Sequence, residues 1–548
     1  MPSDRTHPEP GCPGPCTRRR FLARCGLSGA ALAVGNWPLQ AQPVGGSPTR
    51  TFHACLSPHG FARYPELPEV VARAGVTDVW IAGFLYGTWY QRPADLQRWE
   101  AQLAAHGLRM HVVNVPLGHP GNALGLTDAE GVPATPPAHW RLAHDVEGRT
   151  FSGTSIHAPA PEENAAAVRE IAAAGLRRVF LDDDFRLARS PGEIGGCFCE
   201  GCREAFLRSH GYPPATWEEL LEAVRQRAPS PVLVAWEEYW CDQLEAMWNA
   251  MRAAAPEVAL GLMVMYLGSE KAGLRLERFR EVPFRVGELM FSDAGFAPIK
   301  GKTDELFSAL FHRRFVGPEL AYSESTAYPA DQLSARNLAA KLTVSLLADV
   351  RNTMFMSGLL PFPIEHWATL GPAMRESARL HAALAGHRPR GPLKHFWGWD
   401  ARRVGDDRPY SLFLALGVPF EVVSELPTDG WAFLGDADAR AVAEGRLAPA
   451  GRKLLVRPES GARGPALTPV PEDLPSLFRL KREIVPALRG VPTVADDLPV
   501  VLAWYPSARA ALLWNLEEER RRYTVMRDRK PLRTVEVAPL GVALLEGL

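Results

Sequence analysis

Three things are scarce in this sequence, and each scarcity removes a class of protein. Net charge is one: 61 basic residues stand against 62 acidic ones, leaving −1 at pH 7, so there is no general electrostatic pull toward nucleic acid or an anionic membrane surface. Long apolar runs are another. The mildly apolar stretch from Cys25 to Gly35 is shorter than the roughly 20 residues that span a bilayer, and no second long stretch follows. Cysteine is the third, with 8 in 548 residues, far below the density of a disulfide-built scaffold. Internal repeats and low-complexity tracts are also lacking. The 49 prolines and 47 glycines are spread out and punctuate many short loops.

What is present fits a large globular chain. The length calls for two or three domains, and 46% hydrophobic residues can fill a sizeable core. Fifteen tryptophans exceed what folding alone needs; most serve packing, but their flat faces also suit sugar rings. Thr17-Arg18-Arg19-Arg20-Phe21-Leu22 forms a twin-arginine pattern ahead of the apolar stretch, with a cleavage point expected near Ala41. Residues 1–45 therefore read as a signal peptide and linker. The expected destination is periplasmic or extracellular, with no membrane attachment after cleavage.

From residue 51 short apolar or β-branched runs alternate with amphipathic helical patterns, the signature of βα units around a parallel sheet. Strands are predicted at 51–57, 77–84, 109–115, 176–182, 258–267, 284–292, 319–324 and 351–357. Eight units over 51–390 predict an α/β fold, a (β/α)8 TIM barrel, with an open doubly wound sheet as the competitor. Insertions at 117–160 and 188–257 follow strands three and four at the catalytic face. Past residue 390 the pattern gives a small α/β domain over 391–490, with strands at 420–423, 431–434 and 454–456 and a Pro-rich linker at 464–473. Five short strands within 493–548 then predict a C-terminal β-sandwich.

Strand four ends Leu181-Asp182-Asp183-Asp184-Phe185-Arg186. Three adjacent carboxylates repel one another unless a metal, an arginine or a shared proton relieves them, and Arg186 is one candidate partner. Strand alternation points Asp182 and Asp184 together and Asp183 away. In strand seven, Glu324 interrupts a run of small and apolar residues near the C-terminal end. The ends of strands four and seven face each other across an eight-stranded barrel, so their carboxyl groups can flank one bond. Glycoside cleavage needs such a pair, one protonated and one ionised. Asn114, Tyr266, Asp293, Tyr328 and Trp367, with Glu365 and His366, lie near other strand ends and could line a pocket; for each alone, packing or solvent exposure explains it equally well.

Cys197-Phe198-Cys199-Glu200-Gly201-Cys202 follows strand four. Three thiolates at this spacing can chelate one soft cation, zinc by preference, and Cys241 in the same insertion is the expected fourth ligand. A disulfide is the competitor in an exported protein. Cys55, inside strand one, is expected to pack there. No organic cofactor is implied.

The Cys-x-Cys-x-x-Cys run, followed by Arg203-Glu204-Ala205-Phe206, resembles the zinc segment of the family 42 β-galactosidases of clan A. Phe420 to Asp429, leading into Trp431 to Leu434, is similar to that family's middle domain. The resemblance implies a barrel, an α/β trimerisation domain and a small β domain, hence a homo-oligomer with a trimer favoured. It places Asp184 at the general-acid position, Asp183 where the family has Asn, and Glu324 at the nucleophile position. The chain departs from the family's Asn-Glu pair, which leaves its sugar open. The expectation is an exported glycoside hydrolase that retains configuration and acts on an oligo- or polysaccharide. Two alternatives stand beside it: a metal-dependent barrel enzyme using Asp182 to Asp184, and a non-catalytic polysaccharide-binding protein.

Overall fold

The computed structural model describes residues 50–117, 136–150, 156–182, 185–190, 192–264, 267–287, 290–449 and 453–548. Eight parallel strands close on themselves: β1 (Thr51–Cys55), β2 (Asp78–Leu85), β3 (Arg109–Val115), β4 (Arg178–Leu181), β5 (Ala259–Val264), β6 (Phe284–Gly287), β7 (Ala321–Thr326) and β8 (Asn352–Met356). Each pairs with the next, and β1 pairs with both β2 and β8. That closure excludes the open doubly wound sheet. All eight residues of β2 are buried, as expected for strands covered on both faces.

Alternation divides the strand residues. Val79, Ile81, Val112, Val179 and Leu181 pack against the surrounding helices, while Cys55, Trp80, Val113, Phe180, Tyr322, Met354 and Met356 form a separate cluster. Trp80 and Phe180 meet at 4.7 Å between ring centres, and Phe180 and Tyr322 at 4.9 Å. Gly261 on β5 makes room for this stack; a Cβ there would lie 2.4 Å from the Phe180 ring. Below the aromatics, toward the strand starts, sits a polar network. Asp78 accepts from His111 at 2.7 Å, Arg109 at 2.7 Å and Thr77 at 2.6 Å. Trp80 Nε1 donates to His53 Nδ1 at 3.2 Å, and His53 Nε2 meets Thr51 Oγ1 at 2.9 Å. Burial opposes charge on Asp78, but the hydrogen bonds and the nearby imidazoles outweigh it and hold the carboxyl well below its usual range. Burial pushes His53 down to about 3 against the pull of Asp78.

The segment after β4 contributes helices Glu200–His210, Thr216–Gln226 and Pro231–Ala254. Beyond the barrel lies a five-stranded parallel sheet of β9 (Leu393–Phe396), β10 (Phe420–Val423), β11 (Trp431–Leu434), β12 (Leu454–Val456) and β13 (Leu467–Pro469), ordered β10-β9-β11-β12-β13. Two of these strands, β9 and β13, were not expected. The predicted Pro-rich linker at 464–473 contains β13, a three-residue edge strand whose Pro469 closes it where no ladder donor is needed. The C-terminal strands β14 (Thr493–Val494), β15 (Val500–Tyr505), β16 (Ala510–Asn515), β17 (Arg521–Arg527), β18 (Lys530–Val537) and β19 (Val542–Glu546) form two three-stranded antiparallel sheets. Val494, Leu502, Leu513, Tyr523 and Leu545 share one core between them, so the pair is a small sandwich. Among the described residues no helix is long and apolar enough to cross a membrane.

Candidate active site and metal cluster

Asp182 is the first residue past β4, and its backbone N–H donates to Asn114 O on β3 at 2.8 Å. Glu324 lies within β7, in register with Gly287 of β6. Between them stands Arg285 of β6, fully buried. Its Nη2 pairs with Asp182, and its Nε lies 3.0 Å from Glu324 Oε2. The guanidinium also sits against sulfur, with Met354 Sδ 3.2 Å from Nη1 and Met263 Sδ 3.0 Å from Nη2. A cation in such surroundings is tolerable only when paired. Here one cation serves two carboxylates that are 7% and 4% exposed. Thr326 donates its hydroxyl to Glu324 Oε1, fixing the carboxylate plane. Carboxyl groups from β4 and β7 thus converge at the C-terminal end of the barrel. Arg285 is the functional-site residue that sequence reasoning missed; its only signal is a basic residue inside the apolar strand Phe284-Arg285-Val286-Gly287.

The other expected site residues divide clearly. Asp183, Asp184 and Tyr266 lie outside the described residues. Arg186 is buried and donates from Nε to Ala188 O at 3.3 Å. Asn114 accepts from Phe84 N at 2.9 Å, securing the irregular end of β2. Asp293 is committed to holding a helix start: it accepts from Ser334 N at 2.9 Å, Ser334 Oγ at 3.0 Å and Asn337 Nδ2 at 2.7 Å. Trp367 is 3% exposed and packs on Phe355 and Phe362 in the core, so packing accounts for it. Glu365 occupies the N-cap position of helix His366–Leu384 without a side-chain cap bond. Tyr328, by contrast, is 60% exposed just past β7. Behind the loop that follows β6, Glu305 and Lys341 form a fully buried ion pair at 2.7 Å, and Glu305 also accepts from Met290 N at 2.8 Å, tethering that loop.

The cysteine cluster differs from expectation in one ligand. Cys197, Cys199 and Cys202 gather as predicted, but the fourth donor is His157, and all four ligand atoms lie within 4.8 Å of one another. His157 Nε2 lies 3.3 Å from Cys197 Sγ and 3.7 Å from Cys202 Sγ. Cys241 belongs elsewhere: midway along helix Pro231–Ala254, its Sγ faces Glu270 O at 3.7 Å in a buried contact with the loop after β5. None of the described cysteines is joined in a disulfide, so the disulfide reading fails. Hydrogen bonds from the neighbouring thiols hold Cys199 far below its usual range, and donating to Cys199 pushes Cys197 up to about 11. His157 lies between β3 and its helix Ala160–Ala173, whereas the cysteines follow β4, so the cluster joins two successive barrel loops.

No protein-family profile matches the sequence, and no curated protein does. Solved structures do. A β-galactosidase from the psychrophilic Marinomonas ef1 is similar with a TM-score of 0.57 at 11% identity, over 90% of this chain and 99% of that one. A β-galactosidase from Rahnella sp. R3 gives 0.50 at 13% identity, over 91% and 98%. At these identities the likeness is one of fold, and it extends through the barrel and the domains that follow it.

Proposed function

We propose that this chain is a glycoside hydrolase that retains configuration, with Glu324 as nucleophile and Asp184 as acid and base. The observation that carries this reading is the meeting of Asp182 and Glu324 on Arg285 at the barrel end where such folds keep their active sites. The fold likeness to two β-galactosidases supports it. Glu324 attacks the anomeric carbon; Asp184 protonates the departing oxygen and then takes a proton from water. A proton donor must begin protonated. Asp182 is engaged with Arg285, so we give it the task of positioning that guanidinium and the acid role to Asp184. Asp183 takes the position at which the family 42 enzymes carry Asn. Asp182's charge is already offset by Arg285, which favours this reading over a hard-cation enzyme built on the same aspartates.

The family 42 β-galactosidases remain the proposed relatives, with a trimer built through the 391–490 region and export by the twin-arginine route. Zinc is the proposed ion for His157, Cys197, Cys199 and Cys202. Soft sulfur with one imidazole suits it, and four protein ligands leave no open position, so its role is structural. The test is a screen of purified protein against aryl glycosides, β-galactosides first, with the anomer of the initial product read by NMR. Release of the inverted anomer would overturn retention, and no turnover of any glycoside would overturn the activity.

A further inference from the structure

The five-stranded sheet after the barrel has a ligand-site geometry of its own. In its own strand sequence the order is 2-1-3-4-5, and open parallel sheets of this order take ligands beyond the carboxyl ends of their strands, at the point where the order reverses. That point lies between β9 and β11. Just past these strands and β12 come Arg408, Asp436, Arg457 and Glu459, which line a cavity of 440 Å³. Its opposite wall is the barrel: Leu267 and Met290, from the loops that follow β5 and β6. The volume falls in the range of small-ligand sites, about 300–1,000 Å³.

The walls are held in place. Arg457 pairs with Asp436 at 2.9 Å and Glu472 at 3.0 Å, and donates to Arg408 O at 2.7 Å. Trp397 Nε1 donates to Leu267 O at 3.1 Å, and Lys271 binds Asp407 at 2.6 Å, tying the two domains together. Three basic side chains face five acidic ones around the cavity. That excess of negative charge disfavours an anion. Fixed donors and acceptors beside an apolar patch suit a neutral polyhydroxylated ring, which both donates and accepts hydrogen bonds.

We infer that this cavity binds a second saccharide unit, a part of the chain beyond the cleaved residue. The inference rests on the glycosidase reading. The barrel wall of the cavity, Leu267 and Met290, comes from the loops that follow β5 and β6, at the same end of the barrel at which β7 carries Glu324.

The experiment compares kcat/KM on oligosaccharides with that on an aryl monoglycoside, in the wild type and in Glu459→Trp and Arg408→Ala. Both side chains are exposed on the cavity rim, and an unchanged Tm confirms folding. The ratio of oligosaccharide to aryl glycoside activity should fall about tenfold, equivalent to about 1.4 kcal/mol. Calorimetric titration of Glu324→Ala with the same oligosaccharides should show affinity lost when Glu459→Trp is added. An unaltered ratio with unaltered affinity would overturn the inference while leaving the glycosidase reading intact. If the wild type cleaves no glycoside, that reading fails by itself, and the titration alone decides whether the cavity holds sugar.

Discussion

The two ends of the barrel both bury charge, but they balance it differently. At the strand starts Asp78 is surrounded by more donors than it needs: His111, Arg109 and Thr77 all reach it. At the strand ends one guanidinium, Arg285, stands between two carboxylates, Asp182 and Glu324. A fully compensated network stabilises and has no capacity left for a ligand. Carboxylates brought together on a shared cation can also serve chemistry, at a cost in stability carried by the rest of the fold. On the proposed function, structure belongs to one end and chemistry to the other, and mutations at each should behave accordingly.

The largest expected effect is at the chemical end. Glu324→Ala should lower kcat/KM on an activated aryl glycoside by at least about 10³-fold, with the fold retained. Azide should restore part of the activity by replacing the lost carboxylate. Near-normal turnover in Glu324→Ala would end the contrast between the two ends. Asp78→Ala should do the reverse. Removing one partner from a buried charge network costs about 3 kcal/mol, read as a lower denaturation midpoint, while kcat for the folded fraction stays near wild type.

The metal cluster gives a smaller, separable effect. Purified protein should contain one zinc per chain; His157→Ala should weaken its retention against a chelator and lower Tm by several degrees. Cys241→Ala should leave zinc content untouched, since its sulfur faces Glu270. Loss of zinc in Cys241→Ala with retention in His157→Ala would return the fourth ligand to the original expectation.

Much of this architecture was legible in advance, for a physical reason. Barrel strands are buried on both faces and read as short runs rich in apolar and β-branched residues, so all eight were placed from the sequence. Glu324 stood out as a carboxylate among small and apolar residues. Arg285 did not, because a single basic residue in a four-residue strand resembles an edge position until closure puts it at the centre. β9 and β13, four and three residues long, carry too little periodicity to detect, and the prolines around β13 mimic a linker. Cys241 was preferred as a ligand because it is a cysteine in the same insertion. The actual donor lies 40 residues upstream of Cys197, across a strand and a helix, a distance in sequence that only the fold removes.

The subtlest test separates the two ends by pH. His53 is buried among Asp78, His111, Arg109, Arg178 and Tyr322. Trp80 can only donate, so Nδ1 must accept, and Nε2–H then donates to Thr51, whose hydroxyl passes on to Asn352 Oδ1 at 2.6 Å. The chain of bonds requires a neutral imidazole. Burial keeps the folded-state value at about 3, below the ordinary 6.5. The unfolded chain therefore binds a proton that the folded one refuses, and stability falls as pH drops from about 6.5 toward 3. Asp78 adds to the loss only at the acid extreme, because its depressed folded value protects stability above the ordinary carboxylate range. In His53→Gln, whose amide can still accept from Trp80 and donate to Thr51, the plot of Tm against pH should be flatter over that window. The pH profile of kcat/KM should not move, because its governing groups sit at the other end. A displaced activity profile with an unaltered stability curve would mean that His53 acts on the chemistry and not on the fold.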